Sequence, residues 1–216
     1  MAAHYVAEIR GIQPLGPYAV GGLSGGGIIA YEMAQQLRAQ GQTVDLVALL
    51  DTRGRNIPGL IAENRVRHLV RALPEWLHGA RDLTRAQWAE LLRVKITQGR
   101  ARLKERRRSE PGVPTVIDDV AGLLELSDQH RAVGAAQWRA LDAYVPKEYP
   151  GRLTLFRARM QPLFGFETFD RGWRAVANGG LEITTVPGNH VGMLEEPHVR
   201  VLARELRQRL DAAPTS

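Results

Sequence analysis

An α/β architecture, a mostly parallel sheet flanked by helices, is what this 216-residue sequence predicts, and three observations carry that prediction. Two apolar runs, 18–23 and 44–50, bracket a helical pattern over 28–39 that stops at Gly41, which is the strand–helix–strand order of a parallel unit. The run 44–50 is almost continuously apolar, as expected of a strand covered on both faces. Two further strand patterns come late in the chain, 153–158 after the turn Tyr149-Pro150-Gly151, and 181–187 between Gly179-Gly180 and Pro187-Gly188-Asn189.

The remaining elements follow in chain order. Residues 1–15 read as one amphipathic helix with Tyr5, Val6, Ile9 and Ile12 on one side. Between 53 and 108 the chain interleaves arginines with Val66, Leu69, Val70, Leu73, Trp76, Leu77, Trp88, Leu91, Leu92 and Ile96, the period of amphipathic helices inserted between two sheet strands. Helical patterns over 115–134 and 135–143 complete this insertion, so the expectation is one domain, 1–216, with a helical lid over about 55–145. A loop over 159–170 places Phe164, Phe166 and Phe169 to pack beneath a site, a last helix covers 199–210, and the polar tail beyond it is expected to fray.

Composition narrows the class. A 44% hydrophobic content supplies one sizeable core, and no run approaches the ~20 apolar residues of a membrane span. The absence of cysteine rules out a disulfide framework and any cysteine metal cluster. The first residues lack the basic, apolar and small-residue order of a secretory signal, so a cytoplasmic protein is expected. The net charge of +6 is uneven: residues 53–108 hold fifteen basic against five acidic side chains, a surplus of ten, which leaves −4 on the rest. A basic helical surface could bind nucleic acid or an anionic membrane, but no nucleic-acid motif stands beside it, so neither is the expected partner, and the neutral reading is a solvated helix face.

The chemistry concentrates in Gly22-Leu23-Ser24-Gly25-Gly26, between the first strand and the helix after it. A serine on a sharp strand-to-helix turn projects from the backbone, and small residues at minus two and plus two let the turn close, with Gly21 and Gly27 leaving further room. Ser24 is the candidate nucleophile, and the backbone N–H of Gly25 the candidate oxyanion donor. The loop has neither the Lys-Ser/Thr of a phosphate-binding loop nor a clean dinucleotide fingerprint. Catalytic groups gather at the carboxyl ends of strands in an open parallel sheet, which nominates Asp51, directly after the second strand, as the acid; its alternative role is a cap for Thr52 and Arg53. His190, in the turn after the last strand, is the candidate base, ahead of His198, which reads as the start of the last helix. Serine, aspartate and histidine in that order form one of the known triad arrangements.

The sequence resembles the thioesterase domains that end non-ribosomal peptide and polyketide synthases, members of the α/β-hydrolase superfamily. The resemblance runs through Gly16-Pro17-Tyr18, Gly21 to Gly27, Ala30-Tyr31-Glu32-Met33-Ala34, Leu49-Leu50-Asp51-Thr52, Leu153 to Ala158, Gly172-Trp173, Pro187-Gly188-Asn189-His190 and Met193 to Pro197. It implies a serine hydrolase acting on an acyl or peptidyl thioester carried on the phosphopantetheine of a carrier protein, with no cofactor or metal in the enzyme itself. It also implies an acid after the strand that follows the nucleophile helix, where Asp51 stands; Asp170 ranks second. The family carries strands ahead of the nucleophile strand, one of whose loops gives a second oxyanion donor, whereas residues 1–15 read as a helix. The sequence therefore reads as an N-terminally truncated thioesterase domain, with a catalytically impaired, carrier-binding fragment as the alternative function.

Overall fold

The computed structural model describes residues 1–54, 56–57, 65–81, 93, 128–161 and 168–212. Most of the lid expected over 55–145 lies outside them, as do the helical pattern over 115–127, Phe164, Phe166 and the arginine run 106–108. The chain divides into two compact units, Met1–Arg81 with Tyr144–Ser216, and Asp82–Ala143.

In the first unit, strands β1 (Tyr18–Leu23), β2 (Val44–Leu50), β3 (Leu153–Ala158) and β4 (Leu181–Val186) form one parallel sheet in the order β1-β2-β3-β4. Helix α1 (Ala2–Ile12) precedes β1, α2 (Gly25–Ala39) joins β1 to β2, α3 (Arg65–Arg81) follows β2, and α5 (His198–Asp211) follows β4. In the second unit, α4 (Asp128–Ala143) runs unbroken through Gly134-Ala135, where the sequence suggested two segments. None of the helices among the described residues is long and apolar enough to cross a membrane.

The apolar runs become buried strands for the reason their composition indicates. Side chains alternate across a strand, so Leu46, Ala48 and Leu50 share one face of β2. There they pack with Phe156, Ala158, Val186 and Met193 and with Leu202 and Leu206 of α5. Val47 and Leu49 point the other way and are buried as well, so β2 is covered on both faces. Helix α2 packs on β1 and β2, where Tyr31 meets the buried indole of Trp173 at 4.9 Å and the ring of Tyr149 at 5.7 Å.

Two sequence expectations need correction. Helix α1 buries Ala2 and Val6, whereas Tyr5 and Ile12 are exposed, so its contact with α2 is a narrower stripe than the apolar residues suggested. Helix α2 begins at Gly25 rather than at residue 28, because the turn after Ser24 enters helical geometry at once.

The strand ends are matched in height. Leu23 pairs with Leu50 and Leu50 with Phe156, so Ser24 and Asp51 each stand one residue past a paired row at the same edge of the sheet. Main-chain bonds carry the pairing beyond those rows: Ser24 N–H donates to Leu50 O at 2.9 Å, Asp51 N–H to Phe156 O at 2.7 Å, and Arg159 N–H to Val186 O at 2.8 Å.

Candidate active site

Ser24 sits at the junction of β1 and α2 with φ 54° and ψ −119°, a backbone conformation that non-glycine residues rarely adopt. The strand hydrogen bond from its N–H and the acceptance of Gly27 N–H by its carbonyl at 3.1 Å hold it there, so the surrounding structure sustains the strain. Gly25 is the first residue of α2, and its N–H belongs to the electropositive end of that helix.

Gly22 and Gly27 are closely packed, as their positions suggested, whereas Gly26 is not. A Cβ on Gly22 would lie 2.4 Å from the backbone of Gly26, and one on Gly27 would lie 1.9 Å from Thr52 Oγ1 and 2.9 Å from Gly22 O. A Cβ on Gly26 would meet nothing within 4 Å. The plus-two position is thus sterically open, and Gly27 at plus three is what lets the helix approach Thr52, just past β2, and the Gly22 carbonyl of β1. Where a Cβ vector points depends on the local turn, which residue spacing alone does not record.

Asp51 also occupies the left-handed region, at φ 45°, and its side chain is only 2% exposed. Oδ2 lies 2.7 Å from His190 Nδ1. Oδ1 accepts from Ala158 N–H at 2.9 Å and Gln161 Nε2 at 3.2 Å and pairs with Arg171 Nη2 at 2.8 Å, while Arg171 Nη1 donates to the Asp51 carbonyl at 3.1 Å. Burial pushes the carboxyl pKa up, but the His190 hydrogen bond, the Arg171 charge and the Ala158 N–H together hold it below the ordinary carboxylate value. Burial lowers the Arg171 pKa, opposed by the charge of Asp51, and a guanidinium remains protonated throughout.

An ionised carboxylate can only accept, so the proton of a neutral His190 sits on Nδ1 and the lone pair is on Nε2, the arrangement of a general base. The loop bearing His190 is fixed on both sides. Asn189 Oδ1 accepts from Val191 N–H at 3.1 Å and Gly192 N–H at 2.7 Å, and Met193 is fully buried in the core under α5. His190 itself is 42% exposed, accessible to a bound molecule.

The structure therefore brings Asp51 and His190 into direct contact and puts Ser24 one strand away from Asp51. It does not bring in the two reserves. Asp170 accepts from Thr168 Oγ1 and from Gly172 N–H at 3.0 Å, with Arg174 Nε at 3.6 Å from its other oxygen, so it closes its own turn. His198 is buried at the first residue of α5, where its ring edge backs Gly188. Thr52, read as what Asp51 would cap, instead bonds through Oγ1 to Leu50 O at 3.2 Å and accepts Trp173 Nε1–H on its carbonyl at 2.9 Å.

Sequence reasoning missed Arg171 and Gln161. Gln161 stands in a loop with no periodicity, and Arg171 is one arginine among many. The one available signal was position, since Arg171 directly precedes Gly172-Trp173.

Residues 1–210 match the family model described as Thioesterase domain, and the chain belongs to that family. It is 27% identical over 231 residues to Chondramide synthase cmdD of Chondromyces crocatus and 26% identical over 213 residues to a Dimodular nonribosomal peptide synthase of Bacillus subtilis (strain 168). These alignments cover 95% and 98% of this chain but 5% and 8% of the synthases, so the chain spans a small part of its curated relatives. Among solved structures, the NocB thioesterase domain in covalent complex with a fluorophosphonate nocardicin G analog is similar at 26% identity and a TM-score of 0.56, over 97% of this chain and 73% of that one. Human thioesterase 2, 16% identical, shares the fold at a TM-score of 0.56, over 100% of this chain and 82% of that one. The fold is that of the α/β-hydrolase-like thioesterases.

Proposed function

We propose that Ser24, His190 and Asp51 form a catalytic triad that transfers an acyl or peptidyl group from a carrier-protein thioester to water or to a nucleophile within the acyl chain. The observation that supports this reading best is the 2.7 Å contact between His190 Nδ1 and Asp51 Oδ2 at the strand-end edge where Ser24 stands on its strained elbow.

The chemistry follows from these groups. Ser24 Oγ attacks the thioester carbonyl carbon while His190 Nε2 takes its proton, and Asp51 stabilises the imidazolium without accepting that proton. Negative charge develops on the carbonyl oxygen, where Gly25 N–H at the start of α2 donates a hydrogen bond. The C–S bond then breaks, the leaving thiol takes the proton from His190, and an acyl-serine remains. Water, or a hydroxyl or amine of the acyl chain, attacks that ester with His190 again as base; the acyl–Oγ bond breaks, Ser24 Oγ takes the proton back from His190, and a free acid or a ring leaves. No step calls for a metal or an organic cofactor.

A fluorophosphonate probe should label the protein at Ser24, and Ser24→Ala should abolish labelling. Labelling that persists in Ser24→Ala overturns the nucleophile assignment, while an unlabelled wild-type protein favours the carrier-binding fragment.

The carrier protein enters through the charge pattern. Residues 53–108 carry +10 against −4 elsewhere, and long-range steering acts on the association rate and is screened over about 8 Å at physiological salt. Reversing Arg106, Arg107 and Arg108 to glutamate should slow turnover of a carrier-bound acyl thioester at low salt and leave a small uncharged thioester nearly unaffected. Equal loss on both substrates would make the run structural.

A further inference from the structure

We propose that Arg171, together with Gln161, is a positioning residue for the acid–base pair: it grips the face of Asp51 turned away from the histidine and so presents Oδ2 to His190. This inference rests on the reading of Asp51 and His190 given under Proposed function.

The two carboxylate oxygens of Asp51 have different duties. Oδ2 meets His190 Nδ1, whereas Oδ1 meets the Ala158 N–H, Gln161 Nε2 and Arg171 Nη2. Arg171 adds a second hold, because its other terminal nitrogen donates to the main-chain carbonyl of the same aspartate. One planar guanidinium thus spans the side chain and the backbone of Asp51, so rotation about the aspartate side-chain bond breaks contact with the fork. A lysine ammonium supplies the charge but not this two-point geometry. Gln161 closes the arrangement: its Oε1 accepts from Arg171 Nη2 and its Nε2 donates to Asp51 Oδ1 and Ala158 O.

Arg171 is itself built in. Its backbone is left-handed at φ 51°, its N–H donates to Thr168 O at 3.0 Å, and its carbonyl accepts Gly54 N–H at 2.9 Å. The next side chain but one, Trp173, is fully buried and donates to Thr52 O. Residues 168–173 are therefore stitched to 51–54 at several points, and the guanidinium is delivered by a rigid support, as a group that must orient another requires.

Among the described residues, the charged groups facing the Asp51 carboxylate are His190 and Arg171; Gln161 and the Ala158 N–H are neutral donors. Removing the guanidinium leaves a buried carboxylate with less to keep it ionised, so activity that depends on the ionised acid should fail at a higher pH.

The test uses the full chain and a small acyl thioester of N-acetylcysteamine. Arg171→Met should lower kcat by about 10- to 100-fold with KM changed less than about threefold, and should shift the acid limb of the pH–kcat/KM profile upward. Arg171→Lys should return the acid limb toward wild type without restoring kcat in full. Gln161→Leu should lower kcat by a smaller factor and leave the limb in place. A folded Arg171→Met with wild-type kcat and profile overturns the proposal. If that variant does not fold, wild-type kcat in both Arg171→Lys and Gln161→Leu overturns it. Independently of turnover, the far-downfield proton signal of the His190 Nδ1–H in wild type should broaden or move in Arg171→Lys, and an unchanged signal counts against the proposal. Asp51→Asn separates the two levels: turnover surviving in Asp51→Asn defeats the triad reading itself, while turnover lost there and intact in the Arg171 variants defeats only the brace.

Discussion

The two halves of the site are held by opposite means. The Ser24 elbow is built from absences: missing Cβ atoms at Gly22 and Gly27 let α2 close onto β1 and onto Thr52 past β2, and main-chain bonds to Leu50 and Gly27 hold the strained serine. The Asp51 centre is built from presences, with histidine, arginine, glutamine and one backbone N–H converging on a single buried carboxylate. Shape holds the first half, and charge and hydrogen bonding hold the second. The two sides are therefore vulnerable to different substitutions: a methyl group added at Gly22 or Gly27 injures the elbow, while removing one charge injures the Asp51 centre.

The largest effect should come from the polar half. Asp51→Asn keeps the shape but lets the amide donate to His190, which favours the wrong tautomer, so thioester turnover should fall by about 10⁴-fold. Asp170→Asn should change turnover little, because Asp170 bonds within its own turn. A steady-state assay of both variants decides, and the reverse ranking would move the acid to the later loop.

The steric half should respond in stability. Gly27→Ala forces a Cβ against Thr52 Oγ1 and the Gly22 carbonyl, so it should destabilise the fold by about 3 kcal/mol, the upper part of the overpacking range. Denaturant unfolding reads this directly, and a wild-type midpoint would show that α2 can withdraw from β2 without cost.

Acid should affect the two halves unequally. The Asp51 carboxyl has its pKa lowered in the fold, so its pairing stabilises the protein fully above the unfolded value of about 3.9 and is lost as the pH falls through the lower folded value. The Tm difference between wild type and Asp51→Asn should accordingly be constant near neutrality and narrow below about pH 4. A difference independent of pH would mean that the pairing adds nothing to stability. Gly26→Ala should give the smallest response, within about 1 kcal/mol of wild type and in the stabilising direction, because its Cβ enters open space in a helix and alanine favours the helical state.

These differences also mark how far the sequence could be read. The four strands stand where strand patterns bounded by turn residues placed them, and β2, the strand covered on both faces, is the one written as a nearly continuous apolar run. The helix faces were less legible. Tyr5 and Ile12 look like core residues in a periodic pattern, yet α1 packs against α2 along a narrow stripe that buries Ala2 and Val6. Within the elbow, glycine spacing revealed the turn but gave the closing role to Gly26 rather than Gly27, since composition does not tell where a Cβ would point.

What the sequence by itself determined is the order of elements, the strand-to-helix turn under Ser24, and the presence of Asp51 and His190 just past strand ends, all of which depend on residues near one another in the chain. Only the tertiary structure decided that Asp51 rather than Asp170 meets His190, that a hydrogen bond joins residues 139 positions apart, and that Arg171 and Gln161 close around the same carboxylate. The physical reason lies in the sheet. Parallel pairing of β2, β3 and β4 brings three distant loops to one edge, where the burial of one charge calls for partners on all sides, and no local pattern in the chain records which side chains those partners will be.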